Sequence, residues 1–188
     1  MNYIELIKKY IPYNEQEEAD KNQILKYMSQ FSDLLTRENT ICHFTSSGFV
    51  INKKRDKILM IYHNIYDSWA WTGGHADGEV DFLQVAIKEI KEETGLNKIE
   101  PLTKDIFSIE ILPVFGHIKR GKYVVAHQHI NVTFILEADD KEAVYIKEDE
   151  NSDVKWIDIN KIKEYSTEVG MYPVYDKIIE KMKKNSYI

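Results

Sequence analysis

Apolar residues recur at helical spacing in the first forty positions: Ile24, Met28, Phe31 and Leu35 fall three or four apart. Asn14 followed three residues later by Glu17 has the form of a helix N-cap box. Helices are therefore predicted over residues 1–40. From Ile41 the period shortens. The runs Phe49-Val50-Ile51 and Ile58-Leu59-Met60-Ile61-Tyr62 flank the polar stretch Asn52-Lys53-Lys54-Arg55-Asp56, as two strands and a turn do. A second hairpin is predicted with arms at 109–118 and 123–136 and the turn Lys119-Arg120-Gly121-Lys122. One helix lies between the hairpins. Trp156-Ile157-Asp158-Ile159 has the composition of a last strand, and Val174, Ile178 and Met182 mark a closing helix. Lys181, Lys183 and Lys184 sit at that helix's C-terminal end, where its dipole favours cations. Helices, hairpin, helix, hairpin, strand, helix: this order predicts an α+β fold, a mixed sheet covered by helices on its faces, rather than a parallel βαβ series.

Composition narrows the class. With 188 residues the chain can form one domain plus an appendage. We expect a helical extension at 1–40 and a main domain at 41–188. Hydrophobic residues at 43% and charged residues at 30% argue for a soluble globular protein over a disordered or fibrous one. No run of about 18 apolar residues is present to cross a bilayer, so no membrane partner is expected. A net charge of −6 without a long basic block makes polymeric nucleic acid a poor partner. Cys42 is the single cysteine and fits a reducing compartment. The start Met1-Asn2-Tyr3-Ile4-Glu5 lacks the layout of a signal peptide, so a cytoplasmic location is expected.

The chemistry concentrates in Thr72-Gly73-Gly74-His75-Ala76-Asp77-Gly78-Glu79-Val80-Asp81, a glycine loop feeding a helix that closes at Gly95. At about 100° per residue, Leu83, Ala86, Ile87, Ile90 and Thr94 share one side. Glu89, Glu92 and Glu93 crowd another, with Phe82 and Val85 one to two turns earlier on the glutamate side, which argues against full exposure of that face. Three carboxylates in the last turns oppose the helix dipole and one another, and Lys88, placed before Glu92, offsets little of this. A cation should complete the site. Hard divalent ions prefer oxygen ligands, and Mg²⁺ is commonly held by a few carboxylates together with substrate phosphates. A solvated acidic helix end is the competing reading.

Gly74, followed by Lys88-Glu89-Ile90-Lys91-Glu92-Glu93-Thr94-Gly95-Leu96, resembles the Nudix box: Gly, five residues, Glu, seven residues, then Arg-Glu-U-x-Glu-Glu-x-Gly-U with U aliphatic. Two positions depart from it. Val80 stands where the pattern has its first glutamate, between Glu79 and Asp81, and Lys88 replaces the arginine and so lacks its planar fork. The resemblance spans residues 74–96 and implies a Nudix-type α/β/α sandwich over about 41–160. It also implies hydrolysis of a nucleoside diphosphate linked to another moiety, by water attack at phosphorus with Mg²⁺ or Mn²⁺. Glu89, Glu92, Glu93 and the Gly73 carbonyl carry over as metal ligands, and Lys88 as an orienting residue. Glu92 or Glu89 is the candidate general base on the helix. Glu150, in the acidic loop before the Trp156 strand, is the candidate outside it, with Glu148 and Asp153 as alternatives.

Other residues point more weakly to a binding cleft. On 123–137, His127, His129, Asn131 and Thr133 share one face, opposite Val124, Ala126, Ile130, Val132, Phe134 and Leu136. His127 and His129, with His75 and Gly74 in the loop, are candidate contacts to phosphate or to the second moiety. Sheet histidines without chemistry are the alternative. Trp71, two residues after Trp69, is a candidate to stack a base or to form cleft wall. His43 and Cys42 read as strand-edge packing residues. A fold-retaining nucleotide sensor with weak turnover and an isoprenoid diphosphate isomerase using Cys42 are competing functions, and a homodimer contact through residues 1–40 is left open.

Overall fold

Helices α1 (Tyr3–Lys9) and α2 (Glu15–Gln30) are followed by strand β1 (Cys42–Asn52), whose residues are all buried. This computed structural model describes residues 3–119 and 121–188. Met1 and Asn2 of the N-terminal reading and Arg120 of the second turn lie outside the described residues. Strands β2 (Lys57–His63), β3 (Ser68–Ala70) and β4 (Thr72–His75) precede helix α3 (Phe82–Thr94). After it come β5 (Ile99–Pro101), β6 (Ser108–Val114), β7 (His117–Lys119), β8 (Lys122–Val124), β9 (His127–Ala138) and β10 (Asn151–Asp158). The short helix α4 (Ile162–Tyr165) and the longer α5 (Tyr172–Lys184) end the chain.

The main sheet has eight strands. Its spine runs β10-β2-β1-β9-β5, while β3, β4 and β6 add to β2, β1 and β9. β1 and β9 are parallel, with Cys42 through Asn52 opposite Gln128 through Ala138; every other pair is antiparallel, so the sheet is mixed. Alternation sends successive side chains to opposite faces. Phe44 and Val50 of β1 join Ile130, Val132, Phe134 and Leu136 of β9 in a core with Ala86 and Ile90 of α3 and Ile7 and Ile24 of α1 and α2. Phe49 and Ile51 join Ile135 in a second core under Tyr175, Ile178 and Met182 of α5. Helices thus cover both faces of the sheet, as expected for an α/β/α sandwich.

Several boundaries differ from the sequence expectation. The helical periodicity through Phe31 and Leu35 overruns α2, which stops at Gln30; Phe31 is extended, and the chain turns through 32–40 before Leu34 O accepts the Phe44 N–H at 2.7 Å. Asn14 caps α2 through Glu17 N at 3.0 Å, but the Glu17 carboxylate does not return to Asn14. It takes the Tyr13 N–H and the Tyr10 hydroxyl instead. The second hairpin is broken: β6 pairs with β9 up to Val114 and His127, and its tip is a separate β7–β8 ribbon. The last strand starts at Asn151, five residues before Trp156. The first four residues of the expected glycine loop, Thr72–His75, are a strand paired to β1. Gly73 permits that close approach, because a Cβ there would lie 2.7 Å from the Ser46 carbonyl oxygen.

Candidate active site

Six odd-numbered polar side chains of β1 and β9, His43, Thr45, Ser47, His127, His129 and Asn131, line a cavity of about 470 Å³. Gly73, Gly74 and His75 of β4 form another wall, and Lys88, Glu89, Glu92 and Glu93 of α3 a third. Asp149 and Glu150, just before β10, border the same space; of the expected acidic run, these are the residues that reach it.

Local geometry holds the acids in place. Asp81 caps α3 by accepting from Gln84 N at 3.2 Å, and Gly95, with φ 74°, takes the left-handed conformation that ends the helix. Glu93 is buried, and its carboxylate accepts the Gly73 N–H at 3.1 Å. Burial pushes its carboxyl up to about 8; the Gly73 hydrogen bond opposes this, and the charges of Glu89 and Glu150 add to it. Glu89 is also held above the usual carboxylate range, by burial first and then by Glu92. Its carboxyl lies against Gly74, where a Cβ would fall 2.3 Å from Glu89 Cδ. Glu92 is more open, with Lys88 Nζ at 3.6 Å and Lys147 Nζ at 3.4 Å. Lys147 also reaches Glu150 at 3.0 Å. Burial works against charge on Lys147, yet Glu150 and Glu92 hold its ammonium above the ordinary lysine range. The Glu150 loop is pinned by buried Asn151, whose amide donates to Glu93 O at 3.0 Å, and by the Asn64 N–H to Glu150 O at 3.1 Å.

Among the described residues, a second cluster meets the same cavity. His43, His75 and His129 bring one ring nitrogen each to within 4.8 Å of one another. His43 is thus a cavity residue and not the packing residue expected; its neighbour Cys42 points to the α3 core, where burial pushes the thiol up to about 11. Arg37, in the turn after α2, forms a two-point pair with Asp77, Nε to Oδ1 at 2.8 Å, at the cavity edge. Nothing in the residues around Arg37 signals this, because the pairing spans forty positions. Trp71 is half-buried cavity wall, packed edge-on to Tyr175 at 5.6 Å.

The model of the NUDIX domain matches residues 43–178. The chain belongs to the Nudix family. It is 28% identical over 142 residues to an RNA pyrophosphohydrolase of Pelagibacter ubique, covering 73% of this chain and 89% of that one. It is 30% identical over 142 residues to a Lactococcus lactis protein named a probable DHNTP pyrophosphohydrolase, covering 74% and 80%. Among solved structures it is similar to the Nudix hydrolase RenU of M. smegmatis, with a TM-score of 0.57, 14% identity and coverage of 76% and 86%. The protein is a Nudix pyrophosphohydrolase. Its two departures from the Nudix pattern differ in place: Val80 lies outside the cavity and is 48% exposed, whereas Lys88 lines it. No helix among the described residues is long and apolar enough to cross a membrane.

Proposed function

We propose that this Nudix pyrophosphohydrolase cleaves the phosphoanhydride of a small nucleotide-like diphosphate, with residues 41–188 as the catalytic domain and 1–40 as an accessory extension. The observation that carries this is the convergence of Glu89, Glu92, Glu93 and Glu150 on one cavity, two of them held above the usual carboxylate range. Carboxylates crowded in this way want a cation, and an all-oxygen donor set suits Mg²⁺ or Mn²⁺ over softer ions. Glu89, Glu92, Glu93 and the Gly73 carbonyl would hold it. When bound, such ions neutralise diphosphate oxygens and make water more acidic.

The chain supplies the rest. Glu92, Glu89 and Glu150 border the cavity as acceptors for the proton of the attacking water. As water adds to phosphorus, the bridging P–O bond breaks and the leaving phosphate departs. Lys88 holds Glu92 loosely through their pair, and Gly74 keeps space for Glu89. His75, His127, His129 and Trp71 border the region left for the second moiety. A cavity of about 470 Å³ suits a mononucleotide-sized ligand.

The names of the two relatives extend the panel to RNA and to DHNTP. The test is product analysis from nucleoside diphosphate derivatives, nucleoside triphosphates, DHNTP and 5′-triphosphorylated RNA with Mg²⁺ or Mn²⁺. Release of nucleoside monophosphate, phosphate or pyrophosphate, lost in Glu92→Gln and Glu93→Gln with the fold intact, is expected. Binding without any product would replace this reading with that of a sensor.

A further inference from the structure

Outside the carboxylate cluster, the geometry points to a second metal site in the cleft: His43, His75 and His129 form a three-imidazole site for a Zn²⁺-class divalent ion. The ligands come from three strands, β1, β4 and β9, with His43 and His129 directly paired in the parallel register. Their ring nitrogens already lie within 4.8 Å of one another. A tetrahedral ion with bonds of about 2.0–2.1 Å needs nitrogens roughly 3.3–3.4 Å apart, so modest rotation of the half-buried His75 and His129 completes the fit. His127 stands beside them, its Nε2 3.3 Å from His129 Nε2, already the spacing of one tetrahedral edge.

His43 supplies the independent observation. It is 4% exposed, and its Nδ1 meets the Asn39 carbonyl at 2.9 Å, which places the proton on Nδ1 and leaves the Nε2 lone pair free. That Nε2 is buried without a hydrogen-bond partner. A ligating histidine characteristically gives its other N–H to a carbonyl or carboxylate in this way. The carbonyl is itself positioned: the Asn39 side chain accepts from Ile41 N and Cys42 N, both at 3.0 Å, and donates to Asp33 at 2.8 Å. Arg37 and Lys119 are cations on the same cavity that oppose an ion here, and Asp77 pairs with Arg37. Imidazole-only ligation selects Zn²⁺, Co²⁺, Ni²⁺ or Cu²⁺ over Mg²⁺. Three protein ligands leave a fourth position, and since all three residues line the cavity, water or a substrate oxygen can take it.

The test uses the full chain, stripped of metal and then held in excess Mg²⁺ to occupy oxygen-ligand sites. Calorimetric titration with Zn²⁺ should show one ion per chain, and Co²⁺ should give the intense visible bands of a tetrahedral site. His129→Ala and His43→Gln should weaken binding at least about tenfold and remove the bands, whereas Glu89→Gln should leave both within twofold. If His43→Gln does not fold, His75→Asn carries the same expectation. No Zn²⁺ binding above Mg²⁺, equal binding in the histidine variants, or loss of binding in Glu89→Gln would each overturn the site. None of these outcomes touches the nucleotide-panel result, so the hydrolase reading and this one fail separately.

Discussion

Replacing Lys177 with methionine tests whether the N-terminal helices are part of one cooperative fold. Lys177 of α5 has a side chain 4% exposed and lies 3.1 Å from Glu17 of α2 and 2.9 Å from Glu110 of β6, both almost fully buried. Lys181, 3.8 Å from Glu17, is the second cation of the group. Removing one partner of a buried ion pair strands the other charge and costs roughly 3–5 kcal/mol. With a urea m-value of roughly 2 kcal/mol/M, the unfolding midpoint at pH 7 should fall by about 2 M.

The pH dependence gives a second readout. Burial pushes the Glu17 carboxyl up, but Lys177, the Tyr10 hydroxyl, the Tyr13 N–H and Lys181 together hold it below the ordinary carboxylate range. A depressed folded pKa adds stability above the unfolded value of about 4.3, and that stability is lost as pH falls through the folded pKa. Without Lys177 burial dominates, the carboxyl rises, and the variant can relieve its penalty by taking up a proton. The gap between wild type and Lys177→Met should therefore be widest at pH 7 and shrink toward pH 4. Adding Glu17→Gln and Glu110→Gln should recover part of the loss, because no stranded buried carboxylate remains, while Lys181 keeps its charge beside the Tyr10 hydroxyl and the Phe107 carbonyl. A midpoint shift under about 0.5 M, or one independent of pH, would refute the reasoning.

Gly74→Ala should cut kcat at least tenfold while moving Tm by no more than a few degrees, since its Cβ would displace the Glu89 carboxyl. Glu93→Gln should abolish turnover in Mg²⁺ or Mn²⁺ and yet stabilise the metal-free fold. A carboxyl raised to about 8 makes wild type lose stability as pH rises from about 4.3 toward 8, and melts in EDTA across that window should show this slope flattened in the variant. Arg37→Ala should raise KM for a polyphosphate substrate severalfold with a stability change under about 1 kcal/mol, because the Arg37–Asp77 pair is half exposed. Full activity in Cys42→Ala is expected, as a thiol pushed up to about 11 and turned into the α3 core cannot serve as a nucleophile or acid–base group; loss of turnover in a folded variant would count against this.

What could be read before the structure was local in sequence. The α3 glutamates, their glycine turn and the Gly95 cap lie within 23 residues of one another, so periodicity alone sufficed to gather them on one helix face. The burial of Phe82 and Val85 followed from the same wheel. The second cluster was hidden for a physical reason. β1 is buried on both faces, so it lacks the exposed alternation that marks a half-buried strand, and its polar residues His43, Thr45 and Ser47 look like breaks in an apolar run. Each is satisfied or aimed by a partner about 86 positions away: Thr45 and Ser47 donate to Asn131, and His43 lies beside His129. The opposite face of β1 gave a weak signal as well, because Ser46 and Gly48 are small where α3 comes close; a Cβ at Gly48 would lie 2.4 Å from Ile90 Cδ1. The polar stripe of β9, His127 to Thr133, was visible, but a stripe acquires chemistry only when a matching one is set against it. Parallel pairing of two strands so far apart leaves no local turn to announce its register. The same non-local logic accounts for Arg37 and Asn39: they lie beyond the end of α2, and it is the docking of the N-terminal segment against β1 and the turn after β4 that brings Arg37 to the cleft edge and sets the Asn39 carbonyl behind His43.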